Sequence, residues 1–139
     1  MVWKYKYEDM LKRAYELLPK IKSINNRFEI PKVHGRLQGN QTILTNLYQI
    51  TNYLRRDINH LFKFMLRELA TTGEIKNNLV IFNGKFTPTM LNSKIEKYVK
   101  EFVLCNQCGK PDTELIKEKG LTIKRCEACG ARSSVRTIK

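Results

Sequence analysis

The sequence predicts an α+β fold: an N-terminal amphipathic helix, a central antiparallel sheet with helices packed on one face, and a C-terminal ribbon of three strands held by cysteines. Three observations predict it. Apolar residues recur at helical spacing in separate stretches, short alternating runs bounded by Gly, Asn and Pro lie between them, and two C-x-x-C pairs stand near the C-terminus.

Trp3, Tyr7, Met10, Leu11, Ala14 and Leu18 fall on one helical face, with Lys4, Lys12, Arg13 and Glu16 around the rest. Pro19 disfavours helical geometry at Leu18, so the helix should stop there. So short a helix is marginal alone and must dock, either on its own core or on a partner. The basic, polar stretch 20–26 reads as a linker.

Arg27 to Pro31 alternates like an edge strand, 33–40 with Gly35 and Gly39 reads as a loop or irregular hairpin, and Thr42 to Leu44 as a second strand. Asn46 should cap a helix to Leu54. Asp57 or Asn59 should open the next, with Ile58, Leu61, Phe62, Met65, Leu66 and Leu69 as its apolar face and Gly73 as its end. Leu79 to Phe82 reads as a buried strand, with Asn83-Gly84 as a hairpin turn and Lys85 to Thr87 returning. Pro88 and Thr89 open a further helix, with Met90, Leu91, Ile95, Tyr98, Val99 and Phe102 inward. Beyond it Thr113 to Lys117, Leu121 to Lys124 and Ser134 to Ile138 are strand candidates, the first two joined by a Glu118-Lys119-Gly120 turn. The expected divisions are 1–19 (helix), 20–26 (linker), 27–104 (central α+β domain) and 105–139 (ribbon).

Cys105, Cys108, Cys126 and Cys129 are the only cysteines, and seventeen residues separate the two pairs. That spacing is typical of a structural zinc site, four thiolates closing a tetrahedron with no open position for water. A glycine follows each pair, suiting the left-handed backbone of a tight turn. Disulfides, a redox C-x-x-C or an iron–sulfur cluster are the competing uses. The first fits an oxidising compartment, and the second a βαβ context that the pattern lacks. A unit of this size needs a metal's folding free energy, so Zn2+ is the expected cofactor.

The 139 residues carry 26 Lys+Arg against 13 Asp+Glu, a net +13. The excess is spread, +3 over residues 1–25, +6 over 26–104 and +4 over 105–139. Such a chain suits a polyanionic partner, nucleic acid foremost, while solubility by net charge is the plainer explanation. Lys124, Arg125, Arg132 and Arg136 are the ribbon's candidate phosphate contacts, against an ordinary solvated face. No run is long and apolar enough to span a membrane and the N-terminus does not read as a signal peptide, so the expected compartment is the cytoplasm. His34 and His60 lack metal-ligand spacing, and Walker, G-x-S-x-G and H-E-x-x-H patterns are absent. The chain is expected not to be an enzyme by itself.

The motif Cys105-x-x-Cys108-x-x-Pro111-Asp112-Thr113-x-Leu115, answered by Cys126 to Ala131, resembles the beta subunit of translation initiation factor 2. The stretches His60 to Leu69 and Leu79 to Phe86 are similar to the same family, so the likeness spans nearly the whole chain. The short length, without lysine blocks before the first helix, resembles the archaeal form. Eukaryotic initiation factor 5 shares the middle and ribbon but adds a C-terminal helical domain, a weaker likeness. One departure is Ala70-Thr71, where the family usually has Gly-Thr.

The resemblance implies a heterotrimer with a GTPase gamma subunit and an alpha subunit, which brings methionylated initiator tRNA to the small ribosomal subunit. It implies that the N-terminal helix anchors on the gamma subunit through Tyr7, Met10, Leu11, Ala14 and Leu18, with Trp3 and Tyr15 at the margins, the rest moving about that anchor. A solitary zinc-ribbon nucleic-acid-binding protein is the alternative, and a thiol oxidoreductase a third reading.

Overall fold

The computed structural model describes residues 3–19 and 28–139. The expected linker and Arg27 lie outside them. The first helix, α1 (Tyr7–Leu17), has Glu8 and Asp9 in its first turn, where carboxylates favour the helix dipole. Leu18 is already extended at ψ 127°, as the following proline requires.

The central sheet has four antiparallel strands, β1 (Gly35–Gln38), β2 (Gln41–Leu44), β3 (Gly73–Lys76) and β4 (Leu79–Asn83), in the order β1-β2-β4-β3. Three helices cover it: α2 (Leu47–Leu54), α3 (Ile58–Glu68) and α4 (Pro88–Tyr98), the last running on into a π-helical turn, Val99–Val103. Pairing Leu44 with Val80 and Thr42 with Phe82 aligns these side chains on one face, and all four are buried. Leu47, Ile50, Leu61, Phe64, Leu91, Ile95 and Tyr98 from the helices complete that core. Asp57 accepts a hydrogen bond from the Asn59 amide (3.1 Å) and Thr87 one from Met90 (3.3 Å), so both helices start on a side-chain cap. Asn46 occupies the corresponding place before α2 but serves elsewhere. Its amide accepts from His34 N and donates to Lys32 O, each at 2.8 Å, tying the chain before β1 to the helix.

Several expectations are corrected. Residues 28–31 form no strand; the first strand is Gly35–Gln38, within the stretch read as a loop or irregular hairpin, and it pairs with β2 as the hairpin alternative has it. Asn83-Gly84 does not turn a hairpin. Asn77-Asn78 does, between β3 and β4, with φ of 49° and 61° that asparagine tolerates. Residues 85–87 instead cross towards α4, fastened by Phe86 N on Thr42 Oγ1 at 3.1 Å. Met90 is 48 % exposed, whereas Phe64, omitted from the predicted apolar face of α3, is buried. Gly73 begins β3 rather than ending α3, and a Cβ there would stand 2.4 Å from the Ile81 carbonyl oxygen.

The helix ends at Ala70, whose φ is +49°. Thr71 N reaches back to Leu66 O at 3.1 Å, the six-to-one bond of a Schellman cap. Glycine suits that conformation and alanine strains it by roughly 1 kcal/mol. Ala70→Gly is therefore expected to stabilise the protein by about 1 kcal/mol, read as a rise of a few degrees in Tm. An unchanged or lower Tm would show that the Ala70 methyl packs well enough to offset the strain.

The second sheet has three strands, β5 (Thr113–Glu118), β6 (Leu121–Cys126) and β7 (Arg132–Val135), in that order and antiparallel. Lys119 and Gly120, both at positive φ, turn its first hairpin. Leu115, Val135 and Ile138 pack against the central core. The α+β architecture with a cysteine-bearing three-stranded ribbon is thus the one predicted.

Candidate metal centre and interfaces

The four cysteines meet because two equivalent turns face each other. Cys105 N donates to Lys110 O (3.0 Å) and Gly109 N to Cys105 O (3.0 Å); the second pair repeats this with Cys126 N on Ala131 O (2.8 Å) and Gly130 N on Cys126 O (3.0 Å). Gly109 and Gly130 have φ of 69° and 75°, the left-handed conformation anticipated for them. One turn leads into β5 and the other leaves β6, whose pairing sets Thr113 beside Cys126.

All four Sγ atoms lie within 4.8 Å of one another, with Cys105–Cys129 at 3.6 Å and Cys108–Cys126 at 3.5 Å. A disulfide needs about 2.05 Å. Tetrahedral ligands about 2.3 Å from one ion stand about 3.8 Å apart, so the cluster has the size of a thiolate cage around a single metal. The amides of Cys108 and Gln107 draw the Cys105 thiol down to about 6. At Cys129 the Ala131 amide acts in the same sense, but burial and the neighbouring sulfurs push the thiol up to about 12. Four clustered thiolates repel one another, and a dication at their centre relieves that repulsion.

The ribbon cations do not form one open surface. Lys124 is buried, 2 % exposed, and its Nζ donates to Leu104 O (2.6 Å), Glu101 O (3.0 Å) and Asn106 Oδ1 (3.1 Å). It caps the end of the π-helical turn, so its expected role as a phosphate contact is corrected: the ammonium is enclosed by carbonyls. Burial lowers its pKa, which the Cys105 thiolate and Glu101 oppose. Arg125 pairs with Glu114. Arg132 reaches Glu118 at 2.7 Å, both groups about half exposed. Arg136 spans Glu101 (2.6 Å) and Glu68 (3.3 Å) and lies 5.4 Å over the Phe64 ring. Lys97 and Lys94 join it on Glu68, at 2.9 and 3.3 Å, and Lys97 first, then Arg136 and Lys94, hold that carboxyl at about 2 against the opposing effect of burial.

Sequence reasoning missed Arg56, which joins the ribbon to the central domain. Its guanidinium donates to Thr113 Oγ1 (2.6 Å), Thr113 O (2.8 Å) and Phe102 O (2.8 Å). No spacing rule marks an arginine between two helices for this task.

On α1 every side chain is exposed, including Tyr7 (72 %) and Tyr15 (70 %); Trp3 (77 %) and Leu18 (57 %), expected on the same helical face, are exposed too but lie before and after the helix. Met10, Leu11 and Ala14 are exposed with them. At 100° per residue, Leu17, Met10, Ala14, Tyr7, Leu11 and Tyr15 share one arc of about 160°. Leu17 was missed, although it stands seven residues after Met10. Among the described residues no helix is long and apolar enough to cross a membrane.

Comparison with known proteins bears on this arrangement. Residues 19–132 match the family model of a domain found in initiation factors 2B and 5. The chain is 44 % identical over 135 residues to translation initiation factor 2 subunit beta of Methanopyrus kandleri, covering 97 % of this chain and 98 % of that one. The chain belongs to this initiation-factor family. The Methanococcus vannielii subunit is 41 % identical over 138 residues, 99 % of this chain and all of that protein. The Methanoregula boonei subunit is 42 % identical over 133 residues, but the chain spans only 65 % of its length. The relatives are archaeal factor subunits by name, as the resemblance of the cysteine motifs and of His60 to Leu69 implied.

Proposed function

We propose that the chain is the beta subunit of a heterotrimeric translation initiation factor 2, a GTP-dependent carrier of methionylated initiator tRNA to the small ribosomal subunit in the cytoplasm. It docks through α1 on the GTPase gamma subunit, the alpha subunit completes the heterotrimer, and Cys105, Cys108, Cys126 and Cys129 hold a structural Zn2+. The observation that carries the docking is the continuous apolar arc of α1, exposed along its whole length. An amphipathic helix laid in a partner's groove is a common recognition mode. Burying this arc supplies on the order of 5–10 kcal/mol before ordering costs. The GTP site belongs to the partner, since no phosphate-binding loop is encoded in this sequence.

The test is calorimetric binding to the purified gamma subunit, full chain against a chain beginning at Ser23. Removing the helix is expected to weaken binding at least a thousandfold, about 4 kcal/mol. Equal binding by both would move the interface to the sheet domain or ribbon. No binding by either would leave a solitary zinc-ribbon protein as the better account.

A further inference from the structure

The start of α3 and the strand β5 enclose a cleft of about 320 Å3 between the central domain and the ribbon. Four cations line it, Arg55, Arg56, Lys63 and Lys117, against two carboxylates. Both carboxylates are already engaged, Asp57 as the cap of α3 and Glu114 by Arg125 on the neighbouring strand. The half-buried Arg56 donates only to carbonyl and hydroxyl oxygens, and no carboxylate is hydrogen-bonded to it. Its Nε is the one buried side-chain nitrogen or oxygen without a hydrogen-bond partner among the described residues. Lys63 and Lys117 are exposed and make no ion pair among those residues, and the nearest carboxylate oxygen to Arg55 is 4.0 Å away on the exposed Glu127. The outer ribbon arginines are each paired, as shown above. Free positive charge is therefore gathered in the concavity rather than on the β6–β7 surface.

We propose that this cleft is a binding site for RNA backbone phosphate, an inference that rests on the reading of the chain as an RNA-associated factor subunit. Concave walls and low-dielectric surroundings strengthen the field that cations project onto an anion. Asn59 and His60 stand among the cations as neutral hydrogen-bonding groups suited to ribose hydroxyls. His60 Nδ1 is engaged by Tyr98 Oη at 2.8 Å, while its Nε2 makes no hydrogen bond within the described residues. The His60 pKa lies below its ordinary value, through burial first and then Arg56, with Lys117 and Lys63 adding to it against Asp57. A polyanion is favoured over a short acidic peptide because the +13 charge extends through every region, so a longer ligand gains from cations beyond the cleft.

The experiment measures anisotropy of a labelled RNA hairpin with the full chain, at several salt concentrations. A Lys63→Glu/Lys117→Glu double variant is compared with Lys119→Glu/Arg132→Glu, which changes net charge equally on exposed ribbon residues that do not line the cleft. The cleft pair is expected to bind at least about tenfold more weakly than the ribbon pair, with the salt slope reduced by about two relative to the unaltered chain. Lys63→Gln/Lys117→Gln repeats the test where charge reversal perturbs folding. RNA is also expected to raise the His60 pKa, followed by imidazole NMR with His34 as the internal control. Equal weakening by the two pairs, an unmoved His60, or equally tight binding of polyglutamate would each overturn the proposal. If the calorimetric partner binding through α1 survives such a result, the factor-subunit reading stands and the cleft assignment alone falls.

Discussion

Stripping the proposed metal with a chelator, or replacing Cys126 by Ser, is expected to unfold the ribbon while the central domain persists. The buried hydrophobic cluster of the molecule runs from Val33 to Val103 and includes no residue of the three-stranded sheet. The ribbon contributes only the half-buried Leu115, Val135 and Ile138, which face that cluster from outside. Three short strands without a core of their own do not bury enough apolar surface to offset the entropy of ordering them. Structural zinc sites contribute on the order of 10–16 kcal/mol of apparent binding free energy at neutral pH, and with no preformed site in the unfolded chain that is folding free energy. Chelation should therefore collapse the amide signals of 105–139 into the random-coil region of an NMR spectrum. Signals of buried Leu44, Val80 and Phe82 should stay dispersed. Retention of dispersed ribbon signals in the metal-free protein would show that docking on the central domain suffices to fold it. Unfolding of both parts together would show that the sheet domain depends on the ribbon.

The contrast between the two parts follows what could be foreseen from residues. The cysteine turns were legible because metal geometry restricts spacing so strongly that two C-x-x-C pairs leave few alternatives. Helices α2, α3 and α4 were legible from apolar recurrence and from Asp57 and Pro88 at the starts of the last two. The strands fared less well. Asn83-Gly84 is the stronger turn signal by local chemistry, yet Asn77-Asn78 makes the hairpin, because β4 has to pair with both β2 and β3 and its end at Asn83 is held by Thr72 and Gln41. Ala70 shows the reverse case: the departure from glycine was visible in sequence, and the φ of +49° shows what it costs. The four ribbon cations were least legible, since nothing in composition distinguishes a solvated arginine from one whose partners come from distant segments. Arg136 finds Glu68 and Glu101, 68 and 35 residues away in sequence.

Lys124 is the sharpest instance, and replacing it by Met is expected to cost about 2–4 kcal/mol although the side chain keeps most of its apolar stem. The ammonium donates to both the Glu101 and the Leu104 carbonyls, and it reaches the Asn106 amide oxygen as well. These carbonyls belong to the last turn of a helix, where four acceptors lack intrahelical partners and a cation is favoured by the dipole. A thioether cannot donate, so buried acceptors would be left unsatisfied at roughly 1–3 kcal/mol each, partly relieved by water. The loss should also loosen the ribbon, because β6 bears Lys124 and the π-helical turn belongs to the central domain. Arg56 on Thr113, the Thr113 hydroxyl on Val103 O, and Arg136 on Glu68 and Glu101 would then be among the remaining polar ties. Denaturant unfolding should show the stability loss. Hydrogen exchange should quicken at Leu104 and along β5 while all four cysteines still hold metal. Lys117→Met, on an exposed lysine of the adjacent strand, should stay within about 0.5 kcal/mol of the unaltered protein. If Lys124→Met matches that control, the other contacts suffice to hold the ribbon, and the burial of Lys124 is incidental to the docking.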